Sequence, residues 1–167
     1  MRWLKKTRHG WSVRKVSLSE LLKRREIERV EPDAGASERL LRASEAAILA
    51  AQDNLGMGHG DVALSLAYGS MLNAGRALMA AKGYRPSSDM HHKAVVNFCA
   101  AMLPQSSELV SVFNRYRTRR HDIVYGEIEL GSVGEGEAGS AIANAKAFLE
   151  LVKGKLYPIW RPVQHAT

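Results

Sequence analysis

Along most of the chain, apolar residues recur at spacings of three and four, the period of a helix with one buried face. Ser17-Leu-Ser-Glu20 has the Ser-x-x-Glu form of a capping box, and Leu18, Leu21, Leu22 and Val30 follow as a thin apolar stripe up to Glu31-Pro32. A second helix is predicted from about Ser37 to Asn54, with Leu40, Leu41, Ala47, Ile48 and Ala51 on its inner face; Gly56-Met-Gly-His-Gly60 breaks it. The third runs from Val62 to about Lys82, with Asp61 as N-cap, Gly83 as the C′ residue and Pro86 shortly after. It is apolar or small on several sides, as suits the central helix of a bundle or an oligomer face. Ser88 or Asp89 caps the fourth, which carries Val95, Val96, Phe98, Cys99 and Met102 before Pro104. The fifth starts at Ser106 or Ser107, sets Leu109, Val112, Phe113, Tyr116 and Ile123 on one side, and ends at Gly126. After a Gly- and Glu-rich loop to about Gly136, the last helix uses Ala138, Ala141, Ile142, Ala145, Phe148, Leu149, Val152 and Leu156 and stops at Pro158.

No run shows sustained period-2 alternation, so the expected class is all-α. Short connections favour antiparallel neighbours, which predicts an up-and-down helical bundle of five to six helices. It would occupy residues 17–160 as one domain, after a basic arm over 1–16 and before a tail over 161–167.

Composition agrees with one domain: 167 residues, 46% hydrophobic and 25% charged. The single cysteine, Cys99, excludes an internal disulfide framework and a Cys-based zinc ribbon, and fits a reducing, cytoplasmic setting. Lying among Val95, Val96 and Met102, it reads as a buried structural thiol. No apolar run approaches the ~18 residues that would span a bilayer, and the basic N-terminus carries no apolar stretch of a signal peptide.

The net charge of +7 is concentrated at one end. Nine basic residues and one acid, Glu20, fall within residues 1–25, which leaves the rest of the chain close to neutral. A basic arm is a footprint for a polyanion such as RNA; the plain alternative is a solvated terminus. Trp3 and Trp11 within it could stack on bases or dock the arm onto the body.

The segment Asn114-Arg-Tyr-Arg-Thr-Arg-Arg-His-Asp-Ile-Val-Tyr125 holds four arginines in six residues. On a helix these repel one another by a few tenths of a kcal/mol per neighbouring pair. Acids such as Asp122 and Glu127 could relieve the strain, and so could a phosphodiester, whose oxygens match the guanidinium fork. His121 ends the cluster as a candidate proton-transfer group. Arg117, His121 and Tyr125 share a helix face, whereas Arg115 and His121 stand about 120° apart on an ideal helix. The latter two converge on one substrate only through a helix distortion or across a dimer interface. The alternative is a charged surface with a packed histidine.

This basic-His-aromatic segment follows helices containing Ala67-Tyr68, Gly75-Arg-Ala-Leu-Met79 and Gly83-Tyr-Arg-Pro86, and precedes Ala141-Ile-x-x-Ala145-x-x-Phe148-Leu. From roughly Ser37 to Leu156 the chain resembles HEPN (higher eukaryotes and prokaryotes nucleotide-binding) domains. The resemblance implies a helical bundle that usually dimerises. Many members are metal-independent ribonucleases, often toxins paired with a nucleotidyltransferase antitoxin; others bind RNA, a nucleotide or such a partner without cleaving. The family signature is Arg, four to six residues, then His, which Arg115 and His121 satisfy. By that likeness Arg115 and His121 are the catalytic pair, Arg117, Arg119 and Arg120 bind phosphate, and Asp122 and Tyr125 support the site or, for Tyr125, accept a modification. Two positions depart from the pattern: Tyr116 follows the Arg where a polar residue is common, and the tyrosine expected two residues after His falls at 125.

No cofactor or metal is expected. His91-His92 follow Asp89, but no Glu-x-x-His of a carboxylate-bridged di-iron bundle occurs, so His92 reads as a helix-start contact. His59 sits between glycines as a loop residue. Gly56-Met-Gly-His-Gly60 has neither the spacing nor the Lys-Ser/Thr of a P-loop.

Overall fold

The computed structural model describes residues 16–87, 91–126, 129 and 131–157. The basic arm through Lys15, the caps expected at Ser88 or Asp89, and the tail from Pro158 lie outside the described residues.

Six helices are present among these residues, with one small hairpin: α1 (Leu18–Lys23), β1 (Ile27–Arg29), α2 (Ala34–Gly56), α3 (Gly60–Lys82), β2 (Tyr84–Pro86), α4 (His91–Met102), α5 (Ser107–Val124) and α6 (Glu135–Leu156). The capping box at α1 forms on both sides: Ser17 accepts from the Glu20 amide, and Glu20 accepts from the Ser17 amide. The helix ends sooner than its apolar stripe suggests. Arg25 adopts a left-handed backbone (φ 55°), its amide donates to the Leu22 carbonyl, and the Glu26 amide donates to Leu21. Those are the two bonds of a Schellman stop, normally built on glycine. Val30 therefore belongs to no helix. The chain instead forms β1, paired antiparallel with β2 in the register Ile27 to Pro86, Glu28 to Arg85 and Arg29 to Tyr84. Arg85 Nε donates to Glu28 Oε1 at 2.7 Å across the pair.

Helix α3 is the centre of the bundle, and α2, α4, α5 and α6 each pack on it. Its buried set mixes small residues (Ala63, Ala67, Ser70, Ala74, Gly75, Ala77) with larger ones (Leu64, Tyr68, Met71, Leu78, Met79). Against α2, Ser44 Oγ donates to the Ser70 carbonyl at 2.9 Å and lies 2.8 Å from Ser70 Oγ. The Ser44 proton is thus committed, so the Ser70 hydroxyl donates back to Ser44, and both buried hydroxyls are satisfied. Gly83 closes α3 in the left-handed conformation (φ 76°) that only glycine takes without penalty.

After Gly83 the chain turns back through β2. As a result α4 restarts level with Tyr68, touching it through His92, and reaches Gly75 with Val95 and Cys99. Helix α4 thus runs in the same sense as α3, a departure from strict alternation that the hairpin makes possible. Cys99 is fully buried, and burial pushes its thiol up to about 12. That is the inert structural thiol expected.

Asp61 does not cap α3, whose cap position is taken by His59. Its carboxylate accepts instead from the amides of Gly131 and Val133, tying the α5–α6 connection to the start of α3.

A methyl group at Gly75 would sit 2.6 Å from Val95 Cγ1 and 3.1 Å from Cys99 Sγ. Gly75→Ala is therefore expected to destabilise the fold by about 1–3 kcal/mol in urea titration. Combined with Val95→Ala, the loss should be smaller than the sum of the two single variants, because the clash is removed.

Candidate functional site

Helix α5 is the one helix whose sequence is dominated by polar side chains beyond its first turns, and its charges divide by angle around the axis. Phe113, Tyr116 and Ile123 face the core. On one side of them, Arg115 and Arg119 turn toward α6. On the other, Arg117 and Arg120 come close to Tyr68 of α3 and His92 of α4, and His121 lies beyond Arg117 toward solvent.

On the α6 side, Arg115 and Arg119 line an open depression of about 360 Å3 with Tyr116, Glu137 and Ser140. Arg119 is engaged there: Nε and Nη2 reach the two oxygens of Glu137 at 2.9 and 3.2 Å. This fork-to-fork pairing holds the Arg119 guanidinium above its ordinary pKa, the hydrogen bond to Glu137 contributing most. The acid that relieves this part of the arginine run is thus Glu137 on another helix. The Arg115 guanidinium carbon lies 5.5 Å from the Tyr116 ring centroid and has no carboxylate partner among the described residues.

On the other side, Arg117 Nε donates to Asn114 Oδ1 at 3.1 Å, and Arg120 is half-buried. Neither has an ion pair among the described residues. His121 is open to solvent, with its side chain 53% exposed and Nδ1 3.9 Å from Asp122 Oδ1. Its ring packs on Tyr125, centroids 4.4 Å apart. Helix α5 continues without interruption from Ser107 to Val124, so Arg115 and His121 project to different sides and do not meet within one chain.

Facing Arg117 and Arg120 is a pair that sequence reasoning treated separately. Tyr68, on α3, lies with its hydroxyl 2.9 Å from Nδ1 of His92, the second residue of α4. The Tyr68 ring packs on Phe113 of α5 at 5.8 Å between centroids. Burial pushes the Tyr68 phenol up to about 12, against the pull of Arg117, Arg120 and Arg76. Burial also lowers His92 below its ordinary 6.5, assisted by the positive charges of Arg76, Arg120, His91 and Arg117. Both groups are uncharged at neutral pH, and we assign Tyr68 O–H as the donor to Nδ1, with the ring proton of His92 on Nε2.

Tyr68 and His92 are 24 residues apart, so no local motif announces them. The available signal was a tyrosine in an otherwise small and apolar helix, which a core position does not need. His92 does make the helix-start contact expected of it. Among the described residues, no group of three or more His, Cys, Asp and Glu side chains is placed to hold a metal ion. Nor is any helix among them long and apolar enough to cross a membrane.

A helical bundle built around one small-residue helix, with a cationic helix bearing an exposed histidine, defines a class of all-α domain. The family model for the HEPN domain matches residues 37–155, and the chain belongs to that family. No curated protein matches the sequence.

The tautomer assigned above is checked by nitrogen NMR of the His92 ring, which should show Nε2 protonated and Nδ1 bare at neutral pH. His92 should titrate below 6.5, and Tyr68→Phe, by removing a donor to the neutral ring, should raise its pKa. The sign for stability follows. As pH falls the unfolded chain takes up this proton first, so the contribution of His92 is complete above about 6.5. It is lost as pH drops through the lowered value of the folded state.

Proposed function

We propose that this HEPN protein is a metal-independent endoribonuclease that acts as a homodimer in the cytoplasm. The observation that carries the reading is the exposed His121 one helical turn after Arg117, on a helix whose half-buried Arg117 and Arg120 have no carboxylate partner among the described residues. Such a surface attracts a phosphodiester and places a proton-transfer group against it.

In the reaction the 2′-hydroxyl of a ribose attacks the adjacent phosphorus while His121 takes its proton. The bond from phosphorus to the 5′-oxygen breaks, and that oxygen is protonated as it leaves. The products are a 2′,3′-cyclic phosphate end and a 5′-hydroxyl end. Guanidinium groups stabilise the charge that builds on the phosphorane oxygens. Arg117, one helical turn before His121, shares its face and orients the strand, whereas Arg120, about 100° from His121, is turned to Tyr68 and His92. Arg115 would come from the partner subunit, because within one chain it projects away from His121. Val124 and Tyr125, which are 50% and 67% exposed at the end of α5, supply apolar surface for that contact. The leaving 5′-oxygen takes its proton from water, so each composite site needs one His121 and one Arg115. In the free subunit the Tyr125 hydroxyl is exposed, and its modification by a nucleotidyltransferase partner would block this contact, as an antitoxin silences its toxin.

One observation favours a second reading. Arg119 is locked to Glu137 and Arg115 is turned from His121, as would suit a module that binds RNA, a nucleotide or a nucleotidyltransferase without cutting.

Cleavage of a mixed-sequence RNA in excess EDTA separates the two. Wild type should cut and leave cyclic phosphate ends, while His121→Ala and Arg115→Ala should each lose about 100-fold or more. Mixing the two inactive variants under conditions of subunit exchange should restore part of the activity, since a mixed dimer keeps one complete set. No cleavage by folded dimeric wild type would leave the binding module. Activity lost in the variants but not restored on mixing would place Arg115 outside a shared site.

A further inference from the structure

We infer that Arg76, His92, Arg117 and Arg120, backed by Tyr68, form a phosphate-binding position at the junction of α3, α4 and α5, separate from the phosphate that is cleaved. The inference deepens the ribonuclease reading, on which it rests for the orientation of RNA along α5.

Three elements converge on this point. On α5, Phe113, Arg117 and Arg120 fall within about 60° of one another around the axis. Because Phe113 packs on Tyr68, the two arginines are carried over the edge of the Tyr68–His92 pair. On α3, Arg76 stands two turns beyond Tyr68, and helical side chains lean back toward the N-terminus, which brings its guanidinium toward the same level. On α4, His92 is held by Tyr68 at 2.9 Å, its ring 5.7 Å from the tyrosine ring. All four polar side chains are half-buried. Among the described residues, none of the three arginines has a carboxylate partner, in contrast to Arg119, Arg85 and Arg24.

Three unneutralised guanidinium groups around a neutral histidine make an unfavourable arrangement in the empty protein. After burial, the larger cause, the positive charges of Arg76, Arg120 and Arg117 also lower the His92 pKa. A phosphate reverses the balance: it offers several acceptor oxygens to forked donors, and the Nε2–H of His92 adds one directional bond that carries no charge. Tyr68 is a positioning residue here, because it fixes which ring nitrogen keeps the proton. The chemistry is that of a phosphate group, whether on a neighbouring nucleotide of the RNA strand or on a free mononucleotide.

The test measures binding by the full chain to a fluorescein-labelled 2′-O-methyl oligoribonucleotide, which lacks the attacking hydroxyl and is not cleaved. Anisotropy is followed over a series of salt concentrations. Arg76→Gln should weaken binding severalfold and make the slope of log affinity against log salt shallower by about 0.7, the value for one lost contact with a single strand. Arg76→Lys should recover part of both. His92→Ala should weaken binding with little change of slope, because a neutral donor is lost. Arg42→Gln, on the exposed face of α2, removes the same charge and should bind like wild type. A strand phosphate predicts affinity that rises with strand length, and a mononucleotide predicts that AMP competes as well as the strand does.

Arg76→Gln and His92→Ala binding as the Arg42→Gln control does would overturn the phosphate position. The ribonuclease reading would survive that result if His121→Ala still abolished cleavage. Conversely, the expected binding losses alongside a wild type that cleaves nothing would keep the phosphate position and discard the nuclease. A wild type that binds neither the strand, AMP nor inorganic phosphate would overturn both.

Discussion

Four helices lie against α3, and they do so because α3 presents small side chains where they cross it. Ala63, Ala67, Ala74, Gly75 and Ala77 are all buried, and each lets a neighbouring helix approach closer than a leucine would. At Gly75 the room is fully used, since Val95, Cys99 and Phe113 all converge on the space a methyl group would take. Interiors are packed densely enough that this spacing propagates to the helices resting on α3. The distance from α3 to α4 and α5 decides whether Tyr68, His92 and Phe113 touch. That contact in turn decides where Arg117 and Arg120 come to rest. The candidate site is thus set by the packing of residues that carry no chemistry.

The charges of α5 follow a logic of division. One guanidinium, Arg119, spends its charge on Glu137 and joins α5 to α6; Asn144 reinforces that junction by donating to the Tyr116 hydroxyl at 3.2 Å. Arg117 and Arg120, on the opposite side, meet a neutral phenol and a neutral imidazole instead of an acid. Pairing a half-buried arginine stabilises it at modest gain, whereas leaving two such groups without acids is a cost that the fold itself does not repay. An anionic ligand is what would offset it. The unequal treatment of neighbouring arginines therefore separates Arg119, tied into the fold, from Arg117 and Arg120, which the proposed reading gives to an anion.

How much of this was legible depended on the range over which each signal acts. Helices α2 to α6 could be read because their apolar period persists through several turns, and the buried residues of α6 are those its spacing names, with Leu156 only half-buried. Two three-residue strands are too short to show a period, so the hairpin was invisible. The end of α1 was missed because an arginine, Arg25, takes the left-handed position where glycine would have signalled a stop. Asp61 had the right type and place for a cap but found two loop amides instead. The candidate residues of α5 were marked by composition, yet their sorting was not. Glu137 is 18 residues from Arg119, and His92 is 24 from Tyr68, so only packing could bring either pair together.

The regularity of α5 carries the last step. A bulge or kink between Arg115 and His121 would have allowed one chain to assemble both on a single phosphate. The helix runs unbroken through both positions, and about 120° separates them. A one-chain active site built from this pair would thus have to unwind a helix anchored by Phe113, Tyr116 and Ile123 in the core. Bringing a second copy to the end of α5 requires no such disruption and covers Val124 and Tyr125 as it does so. If the pair acts together, association is the cheaper route to it, and the phosphate position at α3 and α4 would remain open on the flank of each copy to hold the strand.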